Sequence, residues 1–160
     1  MEATGCSVII PDGFVLSDNE GVFLNEHYPL ETGIITYTVT ETGSGEVLTN
    51  SERENMPEET EVDSATELTQ EFYLETMQAA MNEKYGTDVG YQILEFDNIK
   101  IDEYPGYFID ASYQKDEQTI HQMIYIIISK YKTFTIIYSQ ASDDDFTQVF
   151  EESASSIHVY

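Results

Sequence analysis

Basic side chains are scarce in this sequence. Its 160 residues carry six Lys and Arg against 31 Asp and Glu, a formal net charge of −25. Such a surface repels phosphate backbones and anionic lipid headgroups, which argues against nucleic acid and anionic membranes as partners. It attracts cations, basic partners or a cationic matrix. Cysteine is almost missing. Cys6 stands alone, so no disulfide can close within the chain and no cysteine-based zinc site can form. Tryptophan is absent. No apolar run approaches the ~18 residues that cross a bilayer as a helix, and the longest, "MIYIIIS" (Met123 to Ser129), has the length of a strand. A GxSxG nucleophile elbow is missing, and "TGSGE" lacks the downstream Lys-Ser/Thr and the helix of a phosphate loop.

What is present is globular. Hydrophobic residues make up 41% and aromatics 12%, with 12 Tyr and 8 Phe. A chain of this length buries roughly 70% of its unfolded surface, enough for a core without staples. It reads as one domain over residues 1–160.

Strand patterns open the chain. "CSVIIPDGFVL" is a short strand, a turn at Pro11-Asp12-Gly13 and a second apolar stretch. "EGVFLNEHYP" is another short strand, and "GIITYTVTETG" (Gly33 to Gly43) alternates β-branched and aromatic residues. The acidic segment "LTNSERENMPEETEVDSATE" reads as solvated loop around Pro57, with capping-box spacings at Thr49/Glu52 and Ser64/Glu67. Behind the second, Leu68, Phe72, Met77, Ala80 and Met81 predict a helix from about Thr66 to Tyr85, core-facing on that stripe and stopped by Gly86.

A meander follows: "GYQILEFDNIKI", "EYPGYFIDASYQ", a hairpin loop at Lys115-Asp116-Glu117-Gln118, "TIHQMIYIIIS" and "TFTIIYSQ". "TIHQMIYIIIS" is apolar on both faces, Ile120, Ile124, Ile126 and Ile128 against Met123, Tyr125 and Ile127, as in a central strand covered on both sides. Phe146, Val149, Phe150, Ser153, Ala154 and Ile157 then predict a last helix. Ser142 would cap it and Asp143, Asp144 and Asp145 would form its first turn, where carboxylates favour the dipole. The order of elements predicts an α+β fold, an antiparallel sheet sandwiched between helices.

Chemistry is sparse. Asp143, Asp144 and Asp145 are also the leading candidates for a divalent-metal site, calcium first, with "SDNEG" (Ser17 to Gly21) a second acidic turn. Neither has the spacing of an EF-hand loop. His27, His121 and His158 lie far apart and match no zinc spacing. With 31 acids some pair always lies at glycosidase distance, so that signal carries nothing. Tyr104, Tyr107, Tyr113, Tyr125, Tyr131 and Tyr138 fall on adjacent predicted strands. They are read first as sheet-stabilising pairs. Tyr107, Tyr113, Tyr125 and Tyr138 are also the candidate lining of a groove for a peptide or glycan.

Three stretches resemble the PsbP-like superfamily: "IIPDGFVL" its early Pro-x-Gly-Phe/Trp turn, "IDEYPGYFIDASY" its Gly-x-Pro-Ala approach to a central strand, and "KTFTIIYSQASDDDFTQVFEESASSI" its closing strand, acidic cap and final helix, which ends in a short strand. That group includes the photosystem II extrinsic protein, a Ran-binding import factor and many bacterial lipoproteins. The resemblance implies an α/β/α sandwich and an extracytoplasmic binding or accessory role in a bacterium, at the cell surface or secreted. A lipid anchor at Cys6, which follows Gly5, belongs to the same expectation, against the plainer reading of a small buried thiol in a first strand.

The leading functional expectation is therefore a noncatalytic binding module for a protein or glycan partner, with no resident cofactor. A divalent-metal protein using the acidic loops is the alternative. A hydrolase is the third, and it requires a cleft that holds a carboxyl of raised pKa. A cytoplasmic location is the alternative to an extracytoplasmic one.

Overall fold

The computed structural model describes residues 3–28, 32–41, 69–129, 132–141 and 145–160. In chain order the elements are β1 (Cys6–Ser7), β2 (Phe14–Leu16), β3 (Val22–Asn25), β4 (Ile34–Glu41), α1 (Gln70–Tyr85), β5 (Gln92–Ile101), β6 (Tyr104–Lys115), β7 (Gln118–Ile128), β8 (Lys132–Ala141), α2 (Thr147–Ala154) and β9 (His158–Val159). Seven strands form one sheet in the order β2-β3-β4-β8-β7-β6-β5, with every neighbour antiparallel. β1 and β9 pair separately, Cys6 opposite Val159. The fold is α+β with a predominantly antiparallel sheet, as the alternation in the sequence predicts.

Strand periodicity divides the core in two. Ile35, Ile127, Phe134, Ile136 and Tyr138 form one cluster with Phe150, Ala154 and Ile157 from the α2 end of the chain. Tyr107, Ile109, Ala111, Tyr113, Ile124 and Ile128 form the other with Met81, and Tyr73, Leu74, Met77 and Tyr85 of α1 pack against it. β7 contributes to both clusters through alternate residues, as its two apolar faces require.

Both helices depart from expectation in detail. The capping boxes at Thr49/Glu52 and Ser64/Glu67 lie outside the described residues. The described cap of α1 is Thr69, whose hydroxyl accepts from the Phe72 amide at 3.1 Å. Gly86 ends the helix at φ 72°, as expected. The buried stripe runs through Tyr73, Leu74, Met77 and Met81, whereas Phe72 is 62% exposed and Ala80 is exposed. Small and aromatic residues on adjacent positions left the phase ambiguous, and packing against β5 to β7 selected the tyrosine side.

α2 begins at Thr147, with Asp145 just before it; Ser142, Asp143 and Asp144 lie outside the described residues. Phe146 occupies the cap, with its ring stacked on Phe150 at 5.6 Å and edge-on to Phe14 at 5.5 Å. Gln140 of β8 supports the helix start: its Oε1 accepts from the Phe146 amide at 2.7 Å and its Nε2 donates to Thr147 Oγ1 at 3.0 Å. Burying Phe146 fixes where the helix can start, and the aspartates fall before it. Ile157 lies beyond the helix yet is buried, so the periodicity identified the buried face over a longer span than the helix occupies.

Two hairpins turn on the same dipeptide. Asp102-Glu103 joins β5 to β6 and Asp116-Glu117 joins β6 to β7, with Ile101 opposite Tyr104 and Lys115 opposite Gln118. All four turn residues have positive φ: 50° and 74°, then 51° and 67°. Two-residue turns of this kind favour Asn or Gly, and a glutamate there is strained by ~1–2 kcal/mol. Glu117→Gly should therefore raise the melting temperature despite its greater chain entropy when unfolded. A melt that falls would show that the Glu117 side chain stabilises the turn.

Candidate functional site

The chain has two concavities of note among its described residues. The larger, of about 650 Å³, is mainly apolar and is lined by Cys6, Val8, Ile10, Phe23, Tyr37 and Val39. The smaller, of about 420 Å³, lies where the sheet runs out from under α2 and is lined by Glu95, Phe108, Asp110, His121, Met123, Tyr138, Gln140, Thr147 and Glu151. The larger also holds Glu20 and the Cys6 and Tyr37 side chains, whereas the smaller brings together three carboxyl groups and a histidine.

Register builds its floor. Glu95, Asp110, Met123 and Tyr138 form one row across β5, β6, β7 and β8. Phe108 and Tyr125 are paired in the next row, and His121 and Gln140 on the other side. A β-bulge is essential to the first row. Ile93 pairs with Ala111 but Glu95 pairs with Asp110, so Leu94 is the extra residue. The bulge reverses side-chain parity and brings Glu95 onto the face of Asp110. α2 supplies Glu151 and Thr147 as a wall.

Asp110 is the unusual group. Its Oδ1 is closed off from solvent and has no hydrogen-bond partner. The Nδ1 of His121 lies 3.7 Å away, an ion-pair distance too long for a hydrogen bond. Desolvation raises the Asp110 pKa, and the neighbouring His121 pulls it partly back. Glu95 is also raised, by its hydrogen bond and repulsion with Asp97 and, more weakly, by Asp110.

Folding therefore favours protonated Asp110. Its ionisation opposes stability above its folded pKa, and that opposition fades as pH falls through it. The charged or titratable groups facing it are Glu95 from β5, His121 from β7 and Glu151 from α2. Asp110→Asn should raise the melting temperature at neutral pH and converge with the parent in acid. A pH series of melts checks this, and a gap that stays constant with pH would rule out the carboxylate as its cause.

The four candidate tyrosines divide between the two clusters. Tyr125 and Tyr138 share the groove side, with rings 5.9 Å apart and edge-on. Tyr107 and Tyr113 are buried in the α1 cluster, Tyr107 against Phe96 at 5.4 Å and Tyr113 between Tyr85 and Tyr91 at 6.0 and 6.3 Å. The sheet thus builds no single groove from all four, because residues an odd number of positions apart in register point to opposite faces. Tyr138 is fully buried. Ser153 donates to the Ile9 carbonyl at 2.7 Å, which leaves the Tyr138 hydroxyl to donate to Ser153 at 3.0 Å. Tyr131 lies outside the described residues.

Asp143 and Asp144 lie outside the described residues, and Asp145 is an exposed residue just before α2. Among the described residues no three His, Cys, Asp or Glu are grouped so as to hold a metal ion. His27 faces Glu26 at 3.6 Å and His158 faces Asp102 at 3.2 Å. Cys6 is half-buried, its thiol pushed up to about 11 by burial and by the charge of Asp102, and its carbonyl accepts from the Tyr37 hydroxyl at 2.9 Å. The groove holds a carboxyl of raised pKa, the one feature that a hydrolase required. Of its hydroxyls, Tyr138 donates to Ser153 and Thr147 accepts from Gln140. Sequence reading missed Glu95, Asp110, His121 and Glu151 as a group. They come from four elements, and only the register and the bulge unite them.

No helix among the described residues is long and apolar enough to cross a membrane. The structure is similar to that of cyanobacterial PsbP (CyanoP) from Synechocystis, with a TM-score of 0.68 and 19% identity over 100% of this chain and 91% of that one. It is also similar to LpqN of Mycobacterium tuberculosis, described as involved in cell envelope biogenesis, with a TM-score of 0.50 and 13% identity over 96% of this chain and 82% of that one. No curated protein matches the sequence significantly. The fold is PsbP-like, as the three sequence stretches indicated. The sequence model of the DcrB family matches residues 53–156, and the chain belongs to that family.

Proposed function

We propose that this protein is a noncatalytic, extracytoplasmic binding module. The groove between β5–β8 and α2 carries the reading: it offers charged side chains beside Phe108 and Met123 to a ligand. Membership of the DcrB family and likeness to a protein of cell envelope biogenesis support an envelope location. Phe108 and Met123 serve the ligand as an apolar floor, with Tyr125 beside Phe108 and the fully buried Tyr138 packed behind them. The helices act as the outer layers of an α/β/α sandwich that holds the sheet rigid behind it. An acyl anchor on Cys6 belongs to the same proposal, and the intact mass of the native protein tests it.

The location is tested by fusing alkaline phosphatase, and separately β-galactosidase, after Tyr160 of the native gene product. Active phosphatase with inactive galactosidase is expected, because the phosphatase needs an oxidising compartment for its disulfides. The reverse pattern would remove the proposal. Calcium binding by Asp143, Asp144 and Asp145 is a separate proposal. It requires a saturable rise in melting temperature with calcium beyond that with sodium chloride at matched ionic strength, since any cation relieves self-repulsion in a chain of charge −25.

A further inference from the structure

The outer edge of the sheet, at β2, is shaped to accept another strand. β2 stands last in the sheet order and pairs only with β3 among the described residues. The Glu26 amide donates to the Gly13 carbonyl at 2.7 Å and the Ser17 amide to the Val22 carbonyl at 2.9 Å. Gly13, Val15 and Ser17 thus face β3, and alternation turns the Phe14 carbonyl and the Leu16 amide and carbonyl outward. Edge strands are usually blunted by a charge, a proline or a bulge. β2 is short, but none of these interrupts Phe14-Val15-Leu16, and Val15 and Leu16 are 51% and 63% exposed.

Charge selects what can pair there. Asp12 and Glu26 lie at one end of β2, and Asp18 and Glu20 at the other, all exposed. No Lys or Arg precedes Arg53 in the sequence, so no basic side chain from β1 to β4 offsets them. We propose that β2 receives, by strand addition, an extended segment of a partner protein with an apolar centre and Lys or Arg at its ends. A second copy of this chain is the wrong occupant, because two-fold pairing of β2 with itself sets acidic end against acidic end between molecules of charge −25. This surface is separate from the groove over β5–β8.

Register supplies the side-chain contact. Leu16 pairs with Phe23 and Phe23 with Ile35, one row on the α2 side of the sheet. Phe23 continues into the larger concavity with Tyr37, Val39, Val8 and Ile10. An apolar side chain opposite Leu16 extends that row and covers Leu16, while the outward main-chain groups fix the direction of the added strand.

The test uses the whole 160-residue chain and the heptapeptide Lys-Val-Thr-Val-Thr-Val-Lys at fixed ionic strength. Calorimetry should show saturable binding, and amide exchange at Leu16 should slow on the order of tenfold when the peptide is at ten times its Kd. A peptide N-methylated on its pairing amides, and one with Glu at both ends, should each bind about tenfold more weakly or worse. Leu16→Pro removes the outward amide alone from the main chain and should also abolish binding; a melt checks that it folds, and the methylated peptide asks the same question of the parent chain. Asp12→Asn with Asp18→Asn should weaken binding on the order of tenfold, and Glu75→Gln with Glu83→Gln on α1 less than about twofold. The proposal is overturned by no binding, by binding without slowed exchange at Leu16, by equal binding of the methylated peptide, or by equal weakening from the two charge pairs. Slowed exchange at Leu16 that grows with protein concentration before any peptide is added would make the occupant a second copy and overturn it as well.

Discussion

Phe150→Ala will cost about 3–5 kcal/mol, the usual penalty for emptying a buried aromatic site. Phe150 is completely buried. Its ring centre lies 5.2 Å from Tyr138, 5.6 Å from Phe146 and 5.7 Å from Phe14, so one side chain joins α2 to β8, to the cap of its own helix and to β2. Truncation leaves a cavity among rings that cannot collapse together, because the Tyr138 hydroxyl is held by Ser153. Natural domains are stable by only about 5–15 kcal/mol, so a large share of the total is at stake. Chemical denaturation measures it. A loss below about 1 kcal/mol would mean that α2 is not fixed to the sheet through this residue.

Gly106→Ala is the second large effect, about 1–3 kcal/mol or more, with the opposite cause. Gly106 lies in β6 opposite Ile127 of β7. A methyl group there would run into the main-chain carbonyl oxygen of Ile126, with the Ile126 carbonyl carbon at 3.1 Å and the Ile127 Cα at 3.2 Å behind it. The obstacle is backbone, so no rotamer change relieves it, and the β6–β7 pair must spread near the start of β6 and the end of β7. Amide hydrogen exchange in the variant should show faster exchange on both sides of that point. Unchanged exchange and stability would mean that the two strands can part there without loss.

How much of this was legible in the sequence depended on the range of the interactions. β4 to β8 were readable because alternation is local, and the two apolar faces of β7 revealed its place between two clusters. The turn at Asp116-Glu117 was readable as a position and the one at Asp102-Glu103 only as the break between two strand patterns; the left-handed backbone of neither was readable, since Asp-Glu carries no glycine or asparagine signal. The start of α2 was hidden because its support comes from Gln140, on another element. The phase of α1 was hidden because its pattern is weak and packing had to choose. Tyrosine was the visible feature of the candidate site, yet alternate faces split the four residues. The carboxylates that define the groove were lost among 31 acids, and only a bulge at Leu94 distinguishes Glu95 from the rest.

The pairing of β1 with β9 has a mechanical consequence. Thr4 and Gly5 both donate to the Tyr160 carbonyl, at 2.6 and 2.9 Å, and Tyr160 donates back to Gly5 at 3.0 Å. Asp102 holds this small ribbon to the main sheet by accepting from the Val159 amide at 2.9 Å. Tension applied before residue 4 and after residue 160 meets at a single spot and opens the ribbon like a zipper, one rung at a time. The main-chain ladders of the seven-stranded sheet lie behind that ribbon, joined to it by side chains such as Asp102, Tyr37 and Lys132, so the domain has a weak clasp ahead of a strong body.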